Sequence, residues 1–281
     1  PLAMDCVMVN TERLDRVRGI REAQVDDGKG HRRPIQVFEA EAGLVTDDAI
    51  RFCAKEGLVF ATDPTSSWAC TLGGNLAENA GGKTAVLWGT AVDNVLSWRM
   101  AMPGGRVLRV ERTEHPMRKI LPGDKVEFTV TDEKDGKTLR TLSLLGSDIR
   151  KPGLWKDVTR KTLKGLPGFQ KEGTDGVITS AVFVLHKAYE HQATACLEFY
   201  GGDFDEAGRV IWDLSREIVN EGAETLLALE HFDAEYVRAI EYRRKAARPE
   251  DPVAVLLIDL VGHTEEQLAR GRARLEKVRR P

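Results

Sequence analysis

Thr71-Leu-Gly-Gly-Asn-Leu-Ala-Glu-Asn-Ala-Gly-Gly-Lys83, running on to Leu87-Trp88-Gly89-Thr90, is the stretch on which the reading of this chain turns. Glycine is among the poorest helix formers, and two adjacent pairs within a dozen residues predict a loop rather than a helix. Paired glycines let the backbone approach an anion closely and turn successive N–H groups toward it. Gly73-Gly74 and Gly81-Gly82 offer this twice. Asn75 and Asn79 add side-chain amides that both donate and accept, as the edge of a polar ring or a polyol requires. A turn-rich loop with structural glycines is the competing reading, and composition leaves the two even. The stretch is neither GxxxxGK[ST] nor GxGxxG, which disfavours the ordinary nucleotide-binding folds.

Outward from this stretch, Asp63-Pro-Thr-Ser precedes it and Gly173-Thr-Asp-Gly-Val-Ile-Thr179 follows it, a glycine turn leading into an apolar strand. Together with Thr71-Leu-Gly-Gly-Asn, Asn79-Ala-Gly-Gly and Trp88-Gly-Thr, these motifs resemble the FAD-binding signature of the vanillyl-alcohol oxidase, or PCMH-type, flavoproteins. The resemblance is strongest to the branch that holds D-lactate dehydrogenases, glycolate oxidase subunits and D-2-hydroxyglutarate dehydrogenases. Two ordered motifs make it more specific than either alone.

The resemblance implies an α+β fold: a PCMH-type FAD-binding domain over residues 1–188, built on a mixed or antiparallel sheet with flanking helices, and a ferredoxin-like cap over 189–281. It implies FAD as cofactor. Pro64, Thr71, Gly73, Gly74 and Asn75 would lie along the pyrophosphate and ribityl chain, Asn79, Ala80, Gly81, Gly82 and Gly89 along the flavin, and Gly176, Val177 and Ile178 would give backbone contacts. Trp88 stands where the family often has tyrosine. The expected activity is oxidation of a D-2-hydroxy acid such as D-lactate or glycolate, with electrons passing to a quinone, a cytochrome or an iron–sulfur module. A PCMH-type enzyme acting on another alcohol, or a domain that has lost flavin, are the alternatives. The family's N-terminal pyrophosphate loop, substrate arginine and metal or base histidines have no counterpart in these residues. The chain therefore reads as a fragment, and no catalytic residue is assigned.

Size and composition agree with two packed domains: 281 residues, 42% of them apolar, with a net charge of -3 from interspersed charges. That balance argues against nucleic acid as a partner. No apolar run reaches the roughly 20 residues that cross a bilayer, and the start at Pro1 has no signal-like region. Cys6, Cys53, Cys70 and Cys196 form no CxxC pair, which fits reduced thiols. A cytoplasmic location is expected, at most peripheral to the inner face of a membrane.

Residues 5–10 and Ile35–Ala40 read as strands, the first of them buried, and Thr46 as the cap of a helix ended by Gly57. Further strands are expected over Val95–Met102 and Arg106–Glu111. Lys125–Leu144 reads as a polar decorative hairpin turning at Asp135-Gly136. Beyond Tyr189, strands over Ala195–Tyr200, Leu226–Leu229 and Val253–Leu260 alternate with a helix bearing Ala207, Val210, Ile211, Leu214 and Ile218, a charged helix over Ala234–Lys245, and a last helix boxed by Thr264 and Gln267. The histidines show no metal-ligand spacing, so no metal is expected. Glu172 and Asp175 are better taken as turn residues, Glu198, Glu230 and Asp233 as outward-facing, and Arg238–Arg248 as a solvated face. Trp68, Trp98, Trp155 and Trp212 are expected in a core or interface.

Overall fold

A computed structural model describes residues 8–150, 160, 162–201, 204–214 and 226–279. The chain divides into two units: residues up to 82 with 88–188, and residues 83–87 with those from 189 onward.

Up to residue 188 the chain runs β1 (Val17–Asp26), β2 (Arg32–Glu41), α1 (Thr46–Ala54), β3 (Leu58–Val59), α2 (Leu72–Glu78), α3 (Ala85–Trp88), α4 (Ala91–Asn94), β4 (Val95–Ala101), β5 (Val107–Arg112), β6 (Lys125–Asp132), β7 (Thr138–Leu145), α5 (Gly146–Ile149), β8 (Val177–Val184) and β9 (His186–Lys187), all in the first unit except the first three residues of α3. Seven strands pair antiparallel in the order β1-β2-β8-β4-β5-β6-β7. Alternation along each strand sends one face inward, so that Phe38, Trp98, Met100, Val110, Phe128, Phe169 and Phe183 share one core. Because β8 returns to the middle of the sheet between β2 and β4, the second glycine motif is carried back to the first. Helix α2 packs on β8.

The glycine-rich stretch does contain a helix, contrary to the expectation of a loop. Thr71 caps α2 by accepting the Gly74 N–H at 3.4 Å, Leu72 and Leu76 are fully buried, and Asn79 closes the helix in the left-handed region at φ 54°. Burial of the two leucines outweighs the low propensity of Gly73 and Gly74. At Gly73 a Cβ would stand 2.9 Å from that of Ala42, so close packing needs a residue without a side chain there.

The Lys125–Leu144 hairpin is not decoration either. Every second residue of β6, namely Val126, Phe128 and Val130, is buried, and Leu144 of β7 joins them in the main core. Its polar residues lie on the opposite face, and that half of the alternation misleads the reading. Residues 8–10 of the expected opening strand are extended from no sheet and exposed, Met8 at 91%, while the rest of it lies outside the described residues. Strand β1 went unpredicted because it is an edge strand with charge on it. Thr46 is the first residue of α1 and its hydroxyl goes to the Cys70 carbonyl, so it does not cap.

The second unit holds β10 (His191–Phe199), α6 (Phe204–Leu214), β11 (Leu226–Asp233), α7 (Ala234–Ala239), β12 (Ala254–Gly262) and α8 (Glu265–Arg279). Its sheet has the order β10-β12-β11 with antiparallel pairs, so β10-α6-β11 is a split βαβ unit around β12. Helix α8 packs against β12, in which Leu256, Ile258 and Leu260 are buried, and Leu268 and Leu275 of the helix are buried with them. The expected helix over Ala234–Lys245 stops at Ala239, since Glu241 takes a φ of 50°. Ile218 and Trp155 lie outside the described residues. Trp98 is in the core, whereas Trp68 and Trp212 are 75% and 55% exposed, against expectation. The architecture is α+β with antiparallel sheets. Among the described residues no helix is long and apolar enough to cross a membrane.

Candidate functional site

The return of β8 to α2 leaves a cavity of about 390 Å³ walled by both glycine motifs. Thr71, Gly73 and Gly74 line one side and Gly176, Val177 and Ile178 the other, with Ala42 and Ala77 adding small apolar surface. A Cβ at Gly74 would meet only the Thr71 hydroxyl, at 3.5 Å. The helix therefore does not need glycine at that position, and the bare backbone faces the cavity. Gly176 is held differently: a Cβ there would stand 2.6 Å from the Ala101 carbonyl. The volume is in the range of small-molecule sites and suits part of a dinucleotide. Glu78 and Glu172 also lie on the wall.

The amides of the first glycine pair are not pointed at an anion. Gly73 N–H donates to the Ala42 carbonyl at 2.7 Å, Gly74 N–H to Thr71 Oγ1, and Asn75 N–H to the Thr71 carbonyl at 2.9 Å. These glycines offer close approach rather than donors, because the helix and the adjoining strand end have already used the N–H groups.

The other expected site residues lie away from this cavity. Asn75 is buried, its amide donating to Thr46 Oγ1 at 2.9 Å and accepting from Cys70 Sγ, so its side chain ties α2 to α1. Asn79 Oδ1 accepts from Thr90 Oγ1 and from Val92 N–H, both at 2.9 Å, and the Ala80 carbonyl takes Ala91 N–H. Gly82 is pressed on the loop that carries Pro64: a Cβ would overlap the Asp63 carbonyl oxygen at 1.8 Å. Gly81 is exposed. Gly89 has φ 77°, and its missing side chain makes room for the Asp93 carboxylate, which would stand 2.1 Å from a Cβ.

Asp93 is the hub of a buried network that sequence reading missed. Its carboxylate accepts from Thr90 N–H at 2.7 Å, Ile120 N–H at 2.6 Å and both terminal nitrogens of Arg150, at 3.3 and 2.8 Å. Its own carbonyl lies 3.2 Å from Arg112 Nη1 and 2.7 Å from His115 Nε2. Burial pushes the Arg112 guanidinium down to about 10 against the pull of Asp93, and burial with Arg150 beside it lowers Lys119 to about 8. Burial and the Arg112 charge hold His115 well below its ordinary value, hence neutral. His186, stacked on Trp88 at 5.2 Å and bonded to Asn94, is lowered by burial to about 4. The network ties the Gly89-Thr90 turn, and through Asn79 the end of α2, to β5 and to the segments that carry Ile120 and Arg150. The one signal in sequence was the Thr90-x-x-Asp93 capping box. Arg150, 57 residues away, shows no local pattern.

In the second unit, the Glu198 carboxylate is occupied by hydrogen bonds. It accepts from Tyr200 and Tyr242 hydroxyls and from Lys245 and Ala246 N–H; desolvation resists, but these four bonds hold it down at about 2. Asp233 caps α7 through Tyr236 N–H at 2.8 Å. Arg238, Arg244 and Arg248 pair with Glu235, Asp251 and Glu250. Among the described residues no group of three or more His, Cys, Asp or Glu is placed to hold a metal.

Comparison with known proteins fits this geometry. Residues 2–111 match the family described as FAD binding domain. A D-lactate dehydrogenase of Anaerostipes hadrus is 27% identical over 179 residues, 60% of this chain and 32% of that protein. The glycolate oxidase subunit GlcD of Bacillus subtilis (strain 168) is 25% identical over 225 residues, 80% of this chain and 38% of that one. The chain thus spans about a third of the length of these relatives. An alkyldihydroxyacetonephosphate synthase shares the fold at a TM-score of 0.56 and 17% identity, over 95% of this chain and 40% of that one.

Proposed function

Starting from an FAD binding domain of the PCMH type with FAD as its cofactor, we propose that this chain is the flavin-side part of an oxidoreductase acting on D-2-hydroxy acids such as D-lactate or glycolate. The cavity shared by the two glycine motifs supports the reading most, since its bare backbone fits a flat, extended dinucleotide. Thr71, Gly73, Gly74, Gly176, Val177 and Ile178 would hold the cofactor there. Gly81, Gly82 and Gly89, with Asn79 and Ala80, would set the surface beside the flavin, fixed in place by Asp93 and Arg150. Asn75 would act through α1 rather than by touching the cofactor, and Pro64 through its loop on Gly82.

FAD, held by Thr71, Gly73, Gly74 and Gly176 to Ile178, would supply the two-electron acceptor for oxidation at the α-carbon of the substrate. The protein's part is positioning and exclusion of water, and no residue of the chain is assigned as acid or base. Residues 1–188 would form the FAD-binding domain and 189–281 the substrate-shaping cap. A quinone, a cytochrome or an iron–sulfur module would receive the electrons, with the protein in the cytoplasm or at the inner face of a membrane.

The test is anaerobic mixing of the FAD-loaded protein with D-lactate, glycolate, D-2-hydroxyglutarate and L-lactate, following the visible absorption band of the bound flavin. Bleaching by at least one D-acid or by glycolate, with L-lactate inert, is the expected result. Bleaching by none of them, from protein that holds FAD, would overturn the substrate class.

A further inference from the structure

Among the described residues the seven-stranded and three-stranded sheets end in four edge strands, β1, β7, β10 and β11. An open edge is a row of unpaired N–H and C=O groups, and folded chains blunt it with charge, with bulges or with a covering segment. Three of the four edges are blunted in these ways. Strand β1 carries Arg18, Arg21 and Glu22 and breaks register between Val17 and Gly19. Strand β7 breaks register opposite Val130 and Thr131, and the segment around residue 164 is tied to it, Lys164 Nζ to the Ser143 carbonyl at 3.2 Å and an Arg140 Nη to the Gly165 carbonyl at 2.6 Å. Strand β11 breaks register between Leu226 and Ala228 and carries Glu230 and Asp233.

Strand β10 has none of these devices. His191-Gln-Ala-Thr-Ala-Cys-Leu-Glu-Phe199 pairs with β12 along its whole length without a break and contains no Pro, Gly, Lys or Arg. Its single carboxylate, Glu198, is taken up by Tyr200, Tyr242 and two backbone N–H groups. Ala195, Leu197 and Phe199 stay half-buried, although their neighbours Ile258, Leu256 and Ala254 on β12 are fully buried.

We propose that β10 is an interface strand, pairing antiparallel with β10 of a second copy of this chain about a two-fold axis at Ala195. The other edges that a second copy offers are blunted, which leaves β10 itself as the matching strand. In such a pairing, residues equally far from the axis stand opposite each other on one face. Centred on Ala195, Thr194 meets Cys196, Ala193 meets Leu197, Gln192 meets Glu198 and His191 meets Phe199. The whole strand is then used, and Glu198 faces a neutral amide. An axis at Thr194 would instead set Glu198 against Glu190, a like-charge pair that disfavours that register. The two three-stranded sheets become one, and the half-buried apolar side chains gain cover.

Sedimentation velocity of the 281-residue chain over a concentration series is expected to show a reversible monomer–dimer equilibrium with Kd on the order of 10 μM, as suits a small interface. A charge swap tests the register. Gln192 is exposed, so its replacement leaves the fold intact, which thermal melting of dilute samples checks. Gln192→Glu places like charges opposite Glu198 twice across the axis and is expected to raise Kd about five- to tenfold, whereas Gln192→Lys leaves it equal or lower. Hydrogen exchange is expected to show amides of residues 191–199 that gain protection only as the dimer forms. A chain that stays monomeric up to about 1 mM would overturn the proposal, since that lies far above the expected Kd. So would assembly beyond the dimer, equal affinity in Gln192→Glu, or full protection of β10 already in the monomer.

Discussion

Gly73 and Gly74 are neighbours with different constraints, which makes them a sensitive pair for separating fold from ligand. A side chain at Gly73 collides with Ala42, whereas one at Gly74 enters the cavity beside Thr71. Gly74→Val is therefore expected to weaken FAD binding by at least about tenfold while shifting Tm by less than about 3 °C, read by fluorescence titration and thermal melting. Asp93→Asn, by contrast, removes the charge that compensates Arg150 where both are buried. A loss of about 3–5 kcal/mol in urea unfolding is expected. His186 gives a pH signature. Burial holds it at about 4, so as pH falls the unfolded chain takes up the proton first. Its contribution is intact above about pH 6.5 and erodes by about 3 kcal/mol on the way down to about pH 4. The gap in stability between pH 7.5 and pH 4.5 is expected to narrow in His186→Gln, and an unchanged gap would place the proton uptake elsewhere.

At the scale of elements, the hairpin of β6 and β7 is part of the core rather than an ornament on it. Phe128→Ala is expected to cost about 3–5 kcal/mol by chemical denaturation, and a cost below about 1 would return the hairpin to the periphery. The same hairpin shows what was legible in the sequence. Its turn at Asp135-Gly136 and its period of two were readable, because φ preference and alternation are local properties. Its burial was not, because one face of an antiparallel strand is polar whatever the other face packs on. For the same reason the strands of the second unit were found close to their observed places, and the charged edge strand β1 was not. Helix α2 failed in the opposite direction: local propensity argued against a helix that Leu72 and Leu76 make by burial. Of the site, the two glycine motifs stood out in the sequence, but composition left a cofactor-facing role and a packing role even, and Gly73, Gly82 and Gly89 are in fact held by close packing. Asp93, Arg112 and Arg150 were invisible, since their meeting exists only once β5 and the segments flanking α5 have packed.

Over the whole molecule, the return of one strand gives the first unit its glycine-walled cavity. Had β8 paired at an edge, residues 71–74 and 176–178 would bound no common space. In the second unit, built on a split βαβ sheet, Glu198 accepts from hydroxyls and backbone N–H groups and Asp233 caps a helix. The most direct measurement is a crystal structure of this chain grown with FAD. The expected result is the dinucleotide lying in the cavity between residues 71–78 and 173–178, with the backbone of Gly74 and of Gly176 to Ile178 against it. Density for FAD elsewhere on the chain, with that cavity closed or filled by the protein's own side chains, would contradict it.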